Sequence, residues 1–156
     1  MKTLILYATK NGATREIATR ISQHISGATL HDLKQPNIPA LATFDCVIVG
    51  SAIYAGAMRK EAKSFLAQHT NDLRGKPLGL FVSGMVQGDE TRCFKDNVSA
   101  SLLQSAKATR FLGGIFDPQT SGAVARLLMK AVTKQSGYVN TICDEQIKQF
   151  VAQMNL

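Results

Sequence analysis

The sequence predicts an α/β fold: a doubly wound, five-stranded parallel sheet of order 2-1-3-4-5 with helices on both faces. Three observations point there. Short, continuous apolar runs of strand length recur along the chain, as in "LILYA" at 4–8 and "CVIVG" at 46–50. Such runs suit strands buried on both faces, not strands with one wet side. Between them lie segments whose apolar residues return every three or four positions, the period of a helix. No repeat, low-complexity tract or linker breaks the alternation, so a single domain over 1–156 is expected.

The elements follow in order. The first strand, 2–8, runs into a helix expected at 13–26, which places Ile17, Ala18, Ile21 and Ile25 on one face. A weaker strand comes next at Ala28–Leu33, then the loop "KQPNIPAL", punctuated by two prolines. Residues 46–50 form the third strand, and 58–70 a helix with Ala62, Phe65, Leu66 and His69 on one side. The fourth strand covers 78–83 and is followed by a helix at about 94–106. "TRFLGGIF" at 109–116 supplies the fifth strand, with helices after it at 120–135 and 144–154.

Composition excludes several classes. A chain of 156 residues buries about 70% of its unfolded surface without covalent staples. No stretch approaches the roughly 18 consecutive apolar residues of a membrane span, and no signal-peptide core opens the chain. A cytoplasmic location is therefore expected. Cys46, Cys93 and Cys143 are odd in number and widely spaced, against a disulfide framework or structural zinc. His24, His31 and His69 lie on helical or strand segments without a ligand-like partner, so no metal is expected.

In this strand order, ligands sit beyond the carboxyl ends of strands 1 and 3, where the order reverses. The first loop there contains Thr9, Lys10, Asn11, Gly12, Ala13 and Thr14. Gly12 permits a left-handed turn, and the hydroxyls and amide can donate to phosphate oxygens. The free N–H groups of the first helical turn, Ala13 to Glu16, add donors. One glycine and no G-K-[ST] exclude the dinucleotide and P-loop signatures, although a plain strand-to-helix turn would read the same. The second loop, Ser51, Ala52, Ile53, Tyr54, Ala55 and Gly56, offers small residues for a flat ring and a tyrosine to stack on it or to pack over the sheet edge. The third contains Ser83, Gly84, Met85 and Gly88, with backbone available to ring edges. One phosphate loop and two ring loops on one sheet edge point to a mononucleotide. No side chain stands out as a catalytic acid or base; Tyr54 and Lys10 are the only ones the first two loops offer.

On these residues the chain resembles the flavodoxin family over essentially its whole length. The resemblance rests on Thr9-x-Asn11-Gly12-x-Thr14, the Gly50-Ser51 to Gly56 loop and the Ser83–Asp89 loop. It implies FMN, with the phosphate in the first loop and the isoalloxazine between the other two. The segments "MKTLILYATKNGATREIA", "FDCVIVGSAIYAG" and "ARLLMKAVTKQSG" are similar to the menaquinone-dependent protoporphyrinogen IX dehydrogenase branch of flavodoxin-like proteins. That likeness implies FMN-mediated oxidation of a porphyrinogen, a step of heme biosynthesis, with electrons passed to a quinone. The chain is shorter than that branch before its last helix, and its third loop lacks basic residues. The alternative is a small electron-transfer flavodoxin that docks to redox protein partners. Such carriers usually have an aromatic in the third loop, where Met85, Val86 and Gln87 stand here.

Eighteen Lys plus Arg against eleven Asp plus Glu give a formal net charge of +7, whereas the carriers are usually acidic. Basic surroundings favour an anionic reduced flavin by Coulomb attraction, so a higher potential than in the carriers is expected. Arg126, Lys130 and Lys134 recur at i, i+4 and i+8, opposite Val124, Leu128, Ala131 and Val132. They read either as a solvated helix face or as a contact for anionic headgroups at the inner face of the cell membrane. Arg59 and Lys60 are alternatives for meeting substrate carboxylates. Few aromatics and no stacking platform argue against nucleic acid. A phospho-receiver domain, which shares the strand order, needs carboxylates where Ala8-Thr9 and Gly50-Ser51 stand.

Overall fold

A computed structural model of the protein describes residues 1–155. Five parallel strands form the central sheet: β1 (Thr3–Ala8), β2 (Thr29–Asp32), β3 (Cys46–Tyr54), β5 (Leu78–Ser83) and β6 (Ala106–Phe111). Their order is β2-β1-β3-β5-β6, the predicted reversal lying between β1 and β3. A short strand, β4 (Ala57–Met58), folds back antiparallel on the end of β3.

Alternate residues of the buried strands feed two cores, because successive side chains point to opposite faces. Leu4, Leu6, Val47, Val49, Leu78 and Leu80 pack under α2 (Lys60–Gln68), α4 (Glu90–Asn97) and α5 (Ala100–Ser105). Ile5, Ile48 and Phe81 face α1 (Ala13–Gln23) and α7 (Asp144–Gln153), which bury Ile17, Ala18, Ile21, Ile147 and Phe150. Cys46 belongs to the second core, and burial pushes its thiol up to about 11. Gly50 is required by packing: a Cβ there would fall inside the Phe81 ring.

Several boundaries differ from the sequence reading. α1 ends at Gln23, not 26, because the chain turns through Gly27 at φ +70°. The helix expected at 58–70 divides at His69 into α2 and a single turn, α3 (Thr70–Leu73). The helix expected at 94–106 is two helices, α4 and α5, separated by Val98 in an extended conformation. Its last residue, Ala106, already opens β6.

The largest difference concerns 109–116, expected as one strand. β6 ends at Phe111, and Gly113, at φ +79°, turns the chain out of the sheet. Ile115–Phe116 form β7, which pairs antiparallel with β8 (Val139–Asn140). Between them stands α6 (Ala123–Thr133), of which only Met129 is buried. Val124, Leu127, Leu128 and Val132 are exposed, so the apolar side of this helix is not a core face. Arg126 and Lys130 are exposed too, and Lys134 is the left-handed cap that ends the helix.

Gly50→Ala is expected to destabilise the fold by about 1–3 kcal/mol, the usual cost of overpacking a filled core. Urea unfolding measures it; an unchanged midpoint would contradict the packing at Phe81.

Candidate functional site

The carboxyl ends of β1, β3 and β5 open into one cleft of about 820 Å³. That is within the usual range for a small-molecule site. The cleft brings together Thr9, Lys10, Asn11, Ala13 and Thr14 of the first loop with Ala52, Ile53, Tyr54, Ala55 and Gly56 of the second. Ser83, Gly84, Met85 and Gly88 of the third complete the floor. Gly12 and Ser51, also named from sequence, are not on its walls.

Each loop has a physical reason for its shape. Gly12 caps α1 at φ +93°, a conformation that disfavours any residue with a Cβ. Its N–H donates to Thr9 Oγ1 at 2.9 Å. No side chain caps α1, which leaves the N–H groups of its first turn directed at the cleft end of the helix. Thr14 is fully buried, and its hydroxyl shares a 2.7 Å hydrogen bond with Ser83 Oγ. Two hydroxyls with one bond between them retain a single proton to offer elsewhere, so the pair acts as one donor, not two.

The second loop is not irregular. Ile53 and Tyr54 continue β3 and pair with Met58 and Ala57, closing a two-residue hairpin turn. Its central residues, Ala55 at φ +48° and Gly56 at φ +77°, have the positive angles of a type I′ turn. For alanine that conformation costs about 1–2 kcal/mol. Ser51, named from the sequence as a ligand donor, is fully buried, and its hydroxyl accepts from Arg59 N–H and donates to the Ala52 carbonyl. Its proton is thereby engaged within the protein. Tyr54 is 55% exposed, with Lys10 Nζ 5.3 Å from its ring centroid, so a cation–π contact links the first loop to the second.

The third loop is held through its backbone. Gly84 N–H donates to the Gly113 carbonyl at 3.0 Å, and a Cβ on Gly114 would lie 2.6 Å from Gly84 O. Asp89 caps α4 by accepting from Arg92 N–H.

The upper wall was not foreseen. Phe111, Ile115, Phe116, Leu128, Met129 and Val132 line it, five of them outside the five-stranded sheet on the excursion after Gly113 that also bears α6. Nothing local in the sequence announces that a helix read as a basic surface stripe folds over a cleft. The ionisable lining is balanced: Lys10, Arg59 and Arg92 stand against Asp89, Glu90 and Asp96. The +7 of the whole chain is therefore not concentrated here. Glu61 is held below the usual carboxylate range by its own backbone N–H and then by the Arg59 guanidinium at 3.0 Å. Cys93 also lines the cleft, but burial and then Asp96 and Glu90 push its thiol up, away from the nucleophilic thiolate. Among the described residues no cluster of His, Cys, Asp and Glu could hold a metal.

Unclaimed helix N–H donors, a left-handed glycine and small residues beside an exposed tyrosine fit a phosphate joined to a flat ring. Residues 4–141 match the family model described as Flavodoxin domain. The chain belongs to the flavodoxin domain family. Within it, the chain is 28% identical over 93 residues to protoporphyrinogen IX dehydrogenase [quinone] of Escherichia coli strain K12. That match takes in 55% of this chain and 50% of the relative, so the chain spans about half the length of the curated protein it matches. Oxidised flavodoxin 1 from Bacillus cereus superposes with a TM-score of 0.58 at 16% identity, covering 99% of this chain and 97% of that one. A flavoprotein from Lactobacillus acidophilus NCFM, in complex with FMN, gives 0.51 at 17% identity over 72% and 90%. At these identities the two structures share the flavodoxin fold with this chain.

Thr14→Val keeps the shape and removes the bond to Ser83. The expected loss is about 1–3 kcal/mol, because Ser83 is left buried without its partner. Denaturant unfolding gives the magnitude, and faster amide exchange at Ser83 and Gly84 would locate it.

Proposed function

We propose that this chain is an FMN-dependent oxidoreductase acting on a small-molecule redox substrate, with a porphyrinogen as donor and a quinone as acceptor. FMN, when bound, supplies the electron-transfer chemistry, and the protein supplies position and field. The first turn of α1, with Thr9, Lys10, Asn11 and the Thr14–Ser83 hydroxyl pair, would hold the phosphate. Tyr54, Ala55 and Gly56 would face one side of the ring, and Gly84, Met85 and Gly88 its edge. The Lys10–Tyr54 contact keeps the tyrosine ring over the mouth of this space.

One observation favours a substrate enzyme: the cleft does not end at the loops. Leu128, Met129, Val132, Phe111 and Phe116 extend it along an apolar wall, partly open to solvent, that offers contact to an apolar reactant. The likeness to protoporphyrinogen IX dehydrogenase [quinone] supports the same reading. Arg126, Lys130 and Lys134, all exposed, would meet anionic headgroups, where a quinone pool would be reached. Balanced charge along the cleft, in contrast to the strongly basic whole, moderates the high flavin potential that composition suggested.

A second reading is an electron carrier docking to redox proteins. It is favoured by the near-complete mutual coverage with the Bacillus cereus flavodoxin. Anaerobic assays of the FMN-loaded protein separate the two. Quinone reduction by a porphyrinogen supports the first, and electron transfer to protein acceptors without small-molecule turnover supports the second.

Ala13→Glu tests the phosphate site itself. A carboxylate in the first turn is tolerated by the helix dipole but repels a phosphate, so folding should persist while FMN affinity falls at least tenfold. Flavin fluorescence quenching reads the affinity, and undiminished binding would remove the assignment.

A further inference from the structure

One side chain outside the three loops ties the second of them to α4. Asn97 is the last residue of α4. Its Oδ1 accepts from the Met58 N–H at 2.8 Å, and its Nδ2 donates to the carbonyls of Gly56 and Cys93, each at 2.8 Å. A carboxamide has one carbonyl and two N–H donors, and here every one is engaged. The donor–acceptor pattern also fixes which way the amide points, since a backbone N–H faces one end and two carbonyls face the other.

The segment it grips is the least self-sufficient part of the cleft. The β3–β4 ladder has only two residue pairs, far short of a hairpin stable on its own. Its turn holds Ala55 in the left-handed region, which an alanine leaves when nothing restrains it. Among the described residues, Asn97 makes the only side-chain hydrogen bonds to the backbone of residues 55–58. The held segment includes Ala55 and Gly56, which line the cleft beside Tyr54, and the helix that anchors it is the one that follows the third loop.

We infer that Asn97 is a positioning residue that locks the 53–58 hairpin against α4 and so keeps the flavin-facing wall in its binding conformation. The inference rests on the FMN reading above. Without the clamp, the wall is correctly shaped for only a fraction of the time, and apparent affinity falls by that fraction. An isosteric carboxylate cannot replace it: aspartate has no donor and would set oxygen against the Gly56 and Cys93 carbonyls.

The test uses the full chain in four forms: wild type, Asn97→Ala, Asn97→Asp, and Asn97→Ala combined with Ala55→Gly, with Ala55→Gly alone as its reference. Hydrogen exchange on the FMN-free protein should rise at least tenfold at residues 54–58 in both Asn97 variants, while the β1 and β5 amides stay protected. FMN affinity should fall tenfold or more in both. With glycine at 55 the turn needs no restraint, so the effect of Asn97→Ala should shrink to under threefold. A merely structural role at the end of α4 would lower Tm without this dependence on residue 55, and that result overturns the proposal. Unchanged exchange at 54–58 in both variants overturns it as well. If Asn97→Ala does not fold, Asn97→Asp supplies the same readouts. Wild type that fails to bind FMN sinks the cofactor reading alone, because the exchange measurement on the FMN-free protein still decides whether the clamp exists.

Discussion

Because β1, β3 and β5 are buried on both faces, their lengths are filled mainly by apolar side chains, and the polar groups that can meet a ligand gather at their carboxyl ends. The same burial demands helices on both sides of the sheet. A chain that covers both sides must reverse its winding once, here between β1 and β3. Hydrophobic packing alone thus creates the crevice and chooses which loops meet in it. The loops then need little structure of their own, since the strand ends fix their separation. What they add is local: a left-handed glycine at Gly12, paired hydroxyls between Thr14 and Ser83, and backbone contact between Gly84 and Gly113–Gly114.

The strands were legible in the sequence because continuous β-branched and aliphatic runs have few alternatives. The strand order was legible because alternating strand and helix leave few windings. The same periodicity found α1 and α7 but misjudged where helices break. Val98, which is extended, and His69, at φ −105°, are residues whose type gives no sign of a helix break. "TRFLGGIF" misled for a related reason. Its apolar residues read as one strand, yet the two glycines in the middle serve a turn and a close backbone approach. Ser51 shows the limit for site residues: a serine at a strand end suggests a ligand donor, but its hydroxyl is consumed by Arg59 N–H and the Ala52 carbonyl. Asn97, 39 positions from Met58, had no signal at all, because a clamp of this kind exists only once the hairpin and the end of α4 are brought together.

Charge offers a second contrast between chain and site. The net +7 is a property of the whole sequence, while the cleft lining sets three cations against three carboxylates. A flavin in this cleft experiences the nearby pairs more strongly than the distant excess, since exposed charges beyond about 8–10 Å are screened at ordinary ionic strength. Long-range steering of an anionic partner and tuning of a bound ring are therefore separable here, the first belonging to the surface and the second to the loops.

The excursion that bears α6 is closed at its base. Thr141 N–H donates to the Gly114 carbonyl at 2.9 Å, and Gly114 N–H donates to Thr141 Oγ1 at 3.0 Å. The chain thus leaves and rejoins the body through one narrow, hydrogen-bonded neck. The segment between those two residues is tied to the sheet at this neck, and it contributes the buried side chains Phe116 and Met129 to the cleft.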